Sequence, residues 1–384
     1  MRFLQIPNYY FPHTGGIEQV ARDIVHSLKD LDINQKIICF NENAKRGDLF
    51  NNRKDTVVDI VDDIEIHRCG CFAKIASQSL SLTYPKELKK LIKEFDPETI
   101  IFHYPNPFVA SFLLPQINKD IKFVLYWHLD ITKQKNLGKL FDGQTIRLLE
   151  RADVIVATSP NYIEGSKFLS KYKEKCIVIP NCVSIDFEHV NNSTVEKAQQ
   201  IRDRYKNRCI CFTVGRHIPY KGLEYLVDAS KYLSDDYAVL IGGKGPLTDS
   251  LKERAKGDDK VEFLGFISDE DLIAYYIACD IITFSSITKN EAFGISLAEG
   301  MSFQKPAVTF TIPGSGVNYV NLNGVTGIEV PNRNCKAYAE AIMSLYSDKK
   351  LYEKYGKAAK ERVMNNFTFE IFKENIQKTM EGLK

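Results

Sequence analysis

Residues 3–28 read FLQIPNYYFPHTGGIEQVARDIVHSL: a short apolar run, a turn with two glycines, and a long amphipathic segment. The apolar run Phe3–Ile6 has the length and composition of a buried strand. In the amphipathic segment, apolar residues recur at Ile17, Val20, Ala21, Ile24, Val25 and Leu28. This spacing places them on one face of a helix. The stretch therefore predicts a strand followed by a helix, the first half of a βαβ unit.

The same alternation continues along most of the chain. Further apolar runs that predict strands are Lys36–Phe40, Thr99–His103, Phe123–His128, Val154–Ala157 and Cys176–Ile179. A second series comprises Cys209–Val214, Ala238–Ile241, Val261–Leu264, Ile281–Phe284 and Ala307–Phe310. Strands that alternate with helices predict parallel sheets covered on both faces. The last stretch, from Asn334 to Lys384, predicts two or three helices without a strand.

The two series of strands are separated by a polar stretch, residues 184–206, which predicts a linker. We therefore expect an α/β protein with two doubly wound, Rossmann-like domains, residues 1–183 and 207–365, followed by a C-terminal helix over 366–384. The length of 384 residues fits two domains of roughly 100–200 residues each.

Composition excludes several classes of protein. With 51 basic and 49 acidic residues, the chain lacks the basic surplus of a typical nucleic-acid binder. None of the nine cysteines forms a CxxC pair, and the CxC pairs Cys69/Cys71 and Cys209/Cys211 lack a second half-site, which favours buried free thiols over zinc ligands. The first residues show no secretory pattern, and no apolar run approaches the roughly 18 residues of a membrane span. We expect a cytoplasmic protein.

Ligands of open α/β sheets bind where strands end and helices begin, so the strand-to-helix turns are the candidate site. In the first turn, Gly15 and Gly16 let the backbone approach a ligand, although a tight turn alone also explains them. The first turn of the second series, residues 215–222, carries Arg216 and Lys221 directly before a helix. Because a helix N-terminus is already positive, two cations there favour a bound anion such as a diphosphate. Pairing of each cation with a nearby carboxylate is the alternative.

Residues 291–299, EAFGISLAE, follow the predicted strand Ile281–Phe284 and begin a helix. Ionised carboxylates accept hydrogen bonds from paired hydroxyls, so one of Glu291 and Glu299 suits sugar hydroxyls and the other a ribose. A solvated helix face would explain the two glutamates equally well on spacing alone. The backbone N–H groups expected to point at a phosphate are those of Phe293, Gly294, Ile295 and Ser296.

Among the histidines, His128 is the strongest candidate because it ends the predicted strand Phe123–His128 and so lies at the ligand-binding edge. His103 ends the preceding strand and ranks second. Most single histidines are structural, so this position alone leaves both interpretations open.

Taken together, these segments resemble the retaining GT-B glycosyltransferases of family 4, over nearly the whole chain. The type that they resemble is the mannosyltransferase-like type of bacterial surface-polysaccharide synthesis. The matching motifs are Gly15-Gly16-Ile17-Glu18, His128, Ala152-Asp153-Val154-Ile155, Val178-Ile179-Pro180-Asn181, Gly215-Arg216, Lys221-Gly222, Gly243-Lys244-Gly245-Pro246, Val261-Glu262-Phe263-Leu264-Gly265, Ala278-Cys279-Asp280, and Glu291 and Glu299 with seven residues between them.

The resemblance implies a nucleotide-diphosphate sugar as donor, held mainly by the second domain. It implies that Arg216 and Lys221 stabilise the leaving diphosphate, that Glu291 binds hydroxyls of the donor sugar, and that Glu299 binds the ribose.

For the first domain, the resemblance implies that Gly15 and Gly16 approach the phosphates and that His128 lies near the reacting sugar. Backbone groups around Phe266 and Ile267 are implied to bind the base. The C-terminal helices are expected to cross back to the first domain, and the two domains to close over the donor across a cleft.

Neither a cofactor nor an essential metal is expected. During glycosyl transfer, negative charge grows on the departing phosphate, and two fixed cations with a helix N-terminus can stabilise it. The DxD pattern at 30–32 precedes a strand, and that at 269–271 reads as the acidic first turn of a helix, so neither is placed like a metal site. Retention is expected to proceed by front-face attack, with the leaving phosphate as base.

The sequence predicts the substrate less closely than the activity, because the chain departs from the family pattern at Cys182, Ser184, Gly300 and 303–304. The segment 313–327 is similar to that of bacterial enzymes that assemble surface polysaccharides. This favours transfer of a hexose, mannose or a related sugar, to a glycan or lipid-linked acceptor, with UDP and GDP both open. The alternatives are a nucleotide-sugar 2-epimerase of the same fold and a non-catalytic nucleotide-sugar binder.

The segment Lys86–Phe95 combines an apolar face with four lysines. Packing of this face on its own sheet, with the lysines in water, is the favoured interpretation. Peripheral contact with the inner face of an anionic membrane, next to a lipid-linked acceptor, is the alternative. The sequence does not predict the oligomeric state.

Overall fold

The computed structural model describes residues 1–13, 15–41, 55–75, 78–131, 141–183, 185 and 190–383. These residues form two compact units. The first unit comprises residues 1–158, 166–179 and 372–384, and the second comprises residues 159–165 and 180–371.

The first unit is built on a sheet of eight described strands with a small hairpin beside it. The strands of the unit are β1 (Arg2–Ile6), β2 (Asn34–Asn41), β3 (Thr56–Val61), β4 (Ile64–Gly70), β5 (Ala73–Ile75), β6 (Gln78–Leu80), β7 (Thr99–Tyr104), β8 (Lys122–Trp127), β9 (Val154–Ala157) and β10 (Cys176–Val178). The order in the sheet is β10-β9-β8-β7-β1-β2-β4-β3, and the hairpin is β5-β6. Neighbours in the sheet are parallel except β3 and β4, which are antiparallel.

The helices of this unit include α1 (Gly16–Ser27), α2 (Tyr84–Glu94), α3 (Pro107–Leu113) and α4 (Asp142–Arg151). Helix α1 buries Val20, Ala21, Ile24 and Val25, the face that its spacing predicts. Helix α2 buries Leu88 and Leu91, while the four lysines of the segment are exposed, so its apolar face packs inside the unit as the favoured interpretation predicts.

The second unit contains a sheet whose described strands are all parallel. They are β11 (Cys209–Val214), β12 (Tyr237–Gly242), β13 (Val261–Gly265), β14 (Ile281–Phe284), β15 (Ala307–Phe310) and β16 (Gly327–Val330), in the order β13-β12-β11-β14-β15-β16. This is the doubly wound order, and the direction of winding reverses between β11 and β14. Ligands of such sheets bind at the carboxyl ends of the strands flanking that reversal.

The helices of the second unit are α5 (Pro160–Gly165), α6 (Asn192–Arg204), α7 (Leu223–Ser230), α8 (Thr248–Arg254), α9 (Asp269–Ala278), α10 (Ile295–Ser302), α11 (Val317–Val320), α12 (Cys335–Ser347) and α13 (Lys349–Asn366). A last helix, α14 (Phe369–Glu381), begins in the second unit and continues into the first. In the first unit, Lys373 forms an ion pair with Asp30, and Gln377 donates to the carbonyl oxygen of Ser27 at 2.8 Å.

The predicted fold class is confirmed for each unit, because both are Rossmann-like α/β structures. The stretch predicted as a linker contains a helix, α6, that packs on α9 through Ala198, Ala274 and Ala278. Residues 184 and 186–189 of that stretch lie outside the described residues. The sequence did not predict this helix because its buried positions are the small Thr194 and Ala198, which give little apolar periodicity.

Two smaller expectations are also met. Cys69, Cys71, Cys209 and Cys211 are buried, and none of them forms a disulfide with a described residue. The acidic residues 269–271 form the first turn of α9, where the Ser268 side chain accepts a hydrogen bond from the backbone N–H of Asp271. Among the described residues, no helix is both long and apolar enough to span a bilayer.

Candidate functional site

The turn between β11 and α7 carries the two predicted cations on a tightly constrained backbone. Gly222, the N-cap residue of α7, lies in the left-handed region with φ of 59°, and a Cβ there would lie 2.4 Å from the carbonyl oxygen of Ser285. No larger residue fits this position without displacing the β14 loop. The constraint places Lys221 at the start of α7, beside the carboxyl end of β14.

Glycines also bring the β11 and β12 turns into backbone contact. Gly243 has φ of 101°, and a Cβ there would lie 1.9 Å from the carbonyl oxygen of Gly215. His217 is fully buried between these turns, with Nδ1 2.9 Å from Oγ1 of Thr248. The turn that carries Arg216 is therefore locked to its neighbour, and His217 has a structural role that the sequence interpretation missed.

Lys221 and Glu291 form an ion pair, with Nζ 2.5 Å from Oε2. Their side chains are 16% and 12% exposed, so water screens the pair only in part. The Ser286 hydroxyl donates to the same Oε2 at 3.0 Å, and in the described residues Oε1 of Glu291 makes no such contact. The carboxylate therefore has one oxygen held in place and one available as an acceptor.

The two cations of the turn differ in their surroundings. For Lys221 the alternative of a nearby carboxylate partner is correct, although that partner is itself a predicted site residue. Arg216 is exposed and has no ion pair with any described residue. Its guanidinium is thus free to meet an anion at the end of β11.

The backbone of Glu291 is fixed from the loop that follows β15. The Ser315 hydroxyl donates to the carbonyl oxygen of Glu291 at 2.5 Å. A Cβ on Gly316 would lie 2.0 Å from the carbonyl oxygen of Ala292, so the two loops are in direct contact. This support could not be predicted, because a lone serine and a glycine carry no periodic pattern.

Helix α10 begins beside this carboxylate. Its N-cap residue, Gly294, has φ of 96°, and the N–H groups of Leu297 and Ala298 both donate to the carbonyl oxygen of Gly294 at 3.1 Å. The amides of the preceding residues, Ile295 and Ser296, have no partner within the helix. Phe293 is buried, so it serves the core and contributes only backbone to the site.

Glu299 lies in the second turn of α10 and is held from α9. The Tyr276 hydroxyl is 3.0 Å from Oε2 of Glu299 and 3.2 Å from the carbonyl oxygen of Ser296. Burial and the Glu299 carboxylate raise the pKa of Tyr276 well above its usual range, so the hydroxyl stays a donor. Tyr276 thus holds a predicted site residue in place, and sequence reasoning did not single it out.

Phe266 and Ile267 follow β13 and line a pocket of about 380 Å³ together with the facing sides of α6 and α9. Phe266 is 80% exposed. An exposed aromatic ring beside a pocket can stack on a planar base. The sequence interpretation assigned only the backbone here, whereas the structure offers a side chain as well.

In the first unit, Gly15 and Gly16 are exposed at the start of α1. Gly15 has extended backbone, and a Cβ there would lie 2.4 Å from Oε2 of Glu18, so the small residue leaves room for that carboxylate. The buried Arg68 of β4 donates to the carbonyl oxygens of Tyr10 at 3.3 Å and Phe11 at 2.5 Å. It thereby fixes the loop that leads to the glycines.

His128 follows β8 directly rather than ending it, and its N–H donates to the carbonyl oxygen of Tyr104 at 3.1 Å. Its Nε2 is 2.8 Å from Nδ1 of His103, and the two rings stack with centroids 5.0 Å apart. Burial lowers the pKa of His128 to about 3, and burial and His128 lower the pKa of His103 well below its usual range. Both imidazoles are therefore neutral at pH 7.

The structure thus brings Lys221, Glu291 and the start of α10 together in the second unit, with Arg216 on the same turn as Lys221. It joins Glu299 to Tyr276 on the same helix and places Phe266 and Ile267 at a separate pocket. In the first unit it joins His128 to His103.

Comparison with known proteins identifies the families that this chain matches and the proteins that it is similar to. The Glycosyltransferase Family 4 profile matches residues 14–187, and the Glycosyl transferases group 1 profile matches residues 194–362. The O-antigen chain mannosyltransferase C of Escherichia coli is 32% identical over 372 residues, which cover 96% of this chain and 95% of that protein. The D-rhamnosyltransferase WbpZ of Pseudomonas aeruginosa is 33% identical over 372 residues, 96% of this chain and 92% of that protein.

Solved structures show the fold. Sucrose-phosphate synthase from Thermosynechococcus elongatus superposes with a TM-score of 0.77 at 18% identity, covering 100% of this chain and 98% of that one. Anabaena Alr3699/HepE in complex with UDP-glucose superposes with a TM-score of 0.77 at 16% identity, covering 100% of both chains.

Proposed function

The chain belongs to the family 4 glycosyltransferases of polysaccharide biosynthesis, and from that premise we propose that it moves a hexose from a GDP- or UDP-sugar to a glycan or lipid-linked acceptor, with retention at the anomeric carbon. Mannose or a related sugar is the proposed hexose, because relatives that align over almost the whole chain are named as a mannosyltransferase and a D-rhamnosyltransferase.

The ion pair between Lys221 and Glu291 is the observation that carries this proposal. It places a cation and a carboxylate 2.5 Å apart beside the start of α10, with Arg216 on the same turn. A glycosyl diphosphate presents both an anion and a set of hydroxyls within one small molecule. The pair offers each of these groups a partner of suitable chemistry.

In this proposal, Lys221, Arg216 and the first amides of α10 bind the diphosphate and stabilise the charge that grows on it as the glycosidic bond breaks. Oε1 of Glu291 accepts hydrogen bonds from hydroxyls of the donor sugar. Glu299, held by Tyr276, binds the ribose diol.

The remaining predicted site residues complete the proposal. The base occupies the pocket beside Phe266 and Ile267. Gly15 and Gly16 bind phosphate oxygens through their exposed backbone, and His128 contacts the donor sugar.

Retention is proposed to follow front-face attack, in which the acceptor hydroxyl adds to the anomeric carbon on the face that the diphosphate leaves. The hydroxyl proton passes to the departing phosphate oxygen, so no protein base is required. We also propose that no essential metal takes part. Full activity after EDTA treatment is the expected result, and loss of activity that Mg²⁺ restores would overturn this part.

Thermal unfolding with saturating UDP, GDP, dTDP and NAD tests the donor site. A ligand that binds only the folded state stabilises it by about 2.7 kcal/mol at a hundredfold excess over its dissociation constant. We expect stabilisation by one nucleoside diphosphate, reduced in Lys221→Ala and unchanged in Lys256→Ala. The side chain of Lys256 is 75% exposed, and its one ion pair among the described residues is with Glu253. Stabilisation by NAD alone, or an equal effect of both substitutions, would contradict the proposal.

Transfer itself is tested by incubating the matching nucleotide sugar with glycan and lipid-linked acceptors. A new glycosidic bond with the donor's anomeric configuration supports the proposal. Formation of a C2 epimer without any acceptor would instead identify a 2-epimerase, and donor binding without turnover would identify a non-catalytic binder.

We propose that contact with a membrane, if the acceptor is lipid-linked, involves the exposed lysines of α2 rather than its apolar face, which is buried. Basic residues near an anionic surface contribute about 1 kcal/mol each. Co-sedimentation with anionic vesicles at low salt, lost when Lys89 and Lys90 become glutamate, is the expected result. No co-sedimentation would contradict this contact.

A further inference from the structure

We propose that His103 is a positioning residue, which holds His128 as a neutral hydrogen-bond donor, so that His128 binds an oxygen of the donor sugar through Nδ1–H. The sugar contact rests on the proposed function, whereas the orientation of the histidine pair does not. His128 on this view acts neither as acid nor as base.

The pair is built by two adjacent parallel strands. In the register of β7 and β8, His103 lies opposite Tyr126, and His128 follows two residues later. Tyr126 stacks on both rings, with centroids 5.5 Å from His103 and 4.9 Å from His128. His103 is 1% exposed and His128 is 5% exposed, so packing fixes both rings.

One hydrogen atom must lie between Nδ1 of His103 and Nε2 of His128, which are 2.8 Å apart. If His128 donated it, a neutral His103 would carry its own hydrogen on Nε2. That Nε2 is buried and has no hydrogen-bond partner among the described residues. If His103 donates instead, the same atom is an unfilled acceptor.

The second arrangement is the favourable one. Among buried backbone groups, an N–H without a partner is rarer than an acceptor with an unfilled lone pair, and we apply the same rule to the imidazole. We therefore place the hydrogen on Nδ1 of His103. A neutral His128 then carries its hydrogen on Nδ1, because its Nε2 lone pair accepts from His103.

This arrangement decides what His128 can do. Its Nε2 lone pair is occupied and cannot take a proton from an acceptor hydroxyl. Its Nδ1–H remains a donor of fixed direction, suited to an oxygen of the sugar. The proton released in transfer must leave by another group, in agreement with the phosphate oxygen proposed above.

The first test reads the tautomer directly, without any substrate. Nitrogen-15 NMR of the full chain at pH 7 distinguishes Nδ1–H from Nε2–H imidazoles by their shifts and by couplings to the ring hydrogens. We expect His128 in the Nδ1–H form in the wild type and in His103→Asn, whose amide N–H can replace the donor. We expect that form to be lost in His103→Phe.

An Nε2–H or doubly protonated His128 in the wild type would overturn the positioning role, as would an unchanged tautomer in His103→Phe. Melting temperatures close to the wild type are required of both variants, and His103→Asn serves as the second variant if His103→Phe does not fold.

The second test concerns the sugar contact. Loss of one oriented hydrogen bond corresponds to roughly a tenfold fall in kcat/KM for the donor. We expect this fall in His103→Phe and a kcat/KM close to the wild-type value in His103→Asn. His26→Phe is the matched control, since His26 is 42% exposed on α1. If the tautomer behaves as expected while kcat/KM is the same in all variants, the positioning stands and the sugar contact of His128 is refuted.

Discussion

The Lys221–Glu291 pair of the second unit and the His103–His128 pair of the first each join two polar side chains in direct contact, at 2.5 and 2.8 Å. Their electrostatics differ. The first pair consists of opposite charges that are partly exposed, and the second consists of two neutral rings that are almost fully buried.

The two pairs differ in charge because the first keeps some contact with water and the second does not. A charge that keeps some contact with water and a partner is stable, and it can reorient when a new anion arrives. A fully buried imidazole loses too much solvation to stay protonated, so it acts only through fixed hydrogen bonds. In the proposed function, charge stabilisation therefore belongs to the second unit and orientation to the first.

The largest effect is expected from Lys221→Ala. Removing one group that stabilises developing charge costs about 10²–10³ in kcat, and we expect a loss in that range from initial rates at saturating donor. Lys256→Ala is the control. A loss confined to KM would mean that Lys221 binds ground state and transition state equally, and would break the assignment of charge stabilisation to this pair.

A double-mutant cycle tests whether Lys221 and Glu291 act together. Glu291→Gln and Lys221→Met each leave a partly buried partner without its counter-charge, so we expect each to lower kcat/KM by roughly 10² and the double variant to be little worse than either. Additive losses would show that the two side chains act independently despite their contact.

The histidine pair predicts a pH dependence of stability. Both folded-state pKa values are lowered, that of His128 to about 3, whereas an unfolded histidine titrates near 6.5. Below about pH 6.5 the unfolded chain therefore binds more protons, and the free energy of unfolding falls by up to about 1.4 kcal/mol per pH unit for each histidine.

Denaturant unfolding at pH 7, 6 and 5 measures this dependence. Replacing both histidines by phenylalanine is expected to reduce the slope between pH 6 and 5 by up to about 2.8 kcal/mol per pH unit, twice the contribution of one group. A slope equal to that of the wild type would show that the two histidines titrate alike in the folded and the unfolded chain, and the contrast between the units would disappear.

The smallest effect is expected from Tyr276→Phe, which removes the hydroxyl that holds Glu299. One hydrogen bond contributes about 1 kcal/mol, so the donor KM should rise roughly fivefold with kcat nearly unchanged. Tyr338→Phe is the matched control, because its buried hydroxyl donates at 2.7 Å to the carbonyl oxygen of Val308 instead. An equal rise in both variants would indicate a loss of packing rather than of ribose binding.

Much of the fold could be predicted because its central strands are continuous apolar runs. Strand β4 was missed because it carries two polar residues, His67 and Arg68, which are buried against carboxylates that sequence order does not reveal. Strand β16 was missed because it has four residues and includes Glu329, which breaks its apolar run.

The candidate site was predictable in its residue types but not in its pairings. Lys221 and Glu291 lie 70 positions apart in sequence and meet because β11 and β14 are neighbours. Supporting groups such as Ser286, Ser315 and Tyr276 are single polar residues without a pattern. From the sequence, His103 was the second-ranked histidine candidate. Only the strand register reveals that it contacts His128, the first-ranked one.

The return of α14 to the first unit has a consequence for synthesis on the ribosome. Phe372, Ile376 and Met380 are buried, and Gln377 reaches the end of α1. At about 5–20 residues per second, the ribosome makes these residues roughly 10–40 s after residue 180, when the rest of the first unit has already been made. During that interval the nascent first unit lacks the helix that covers the end of α1. We therefore expect the first unit to complete its folding only after α14 has left the ribosome.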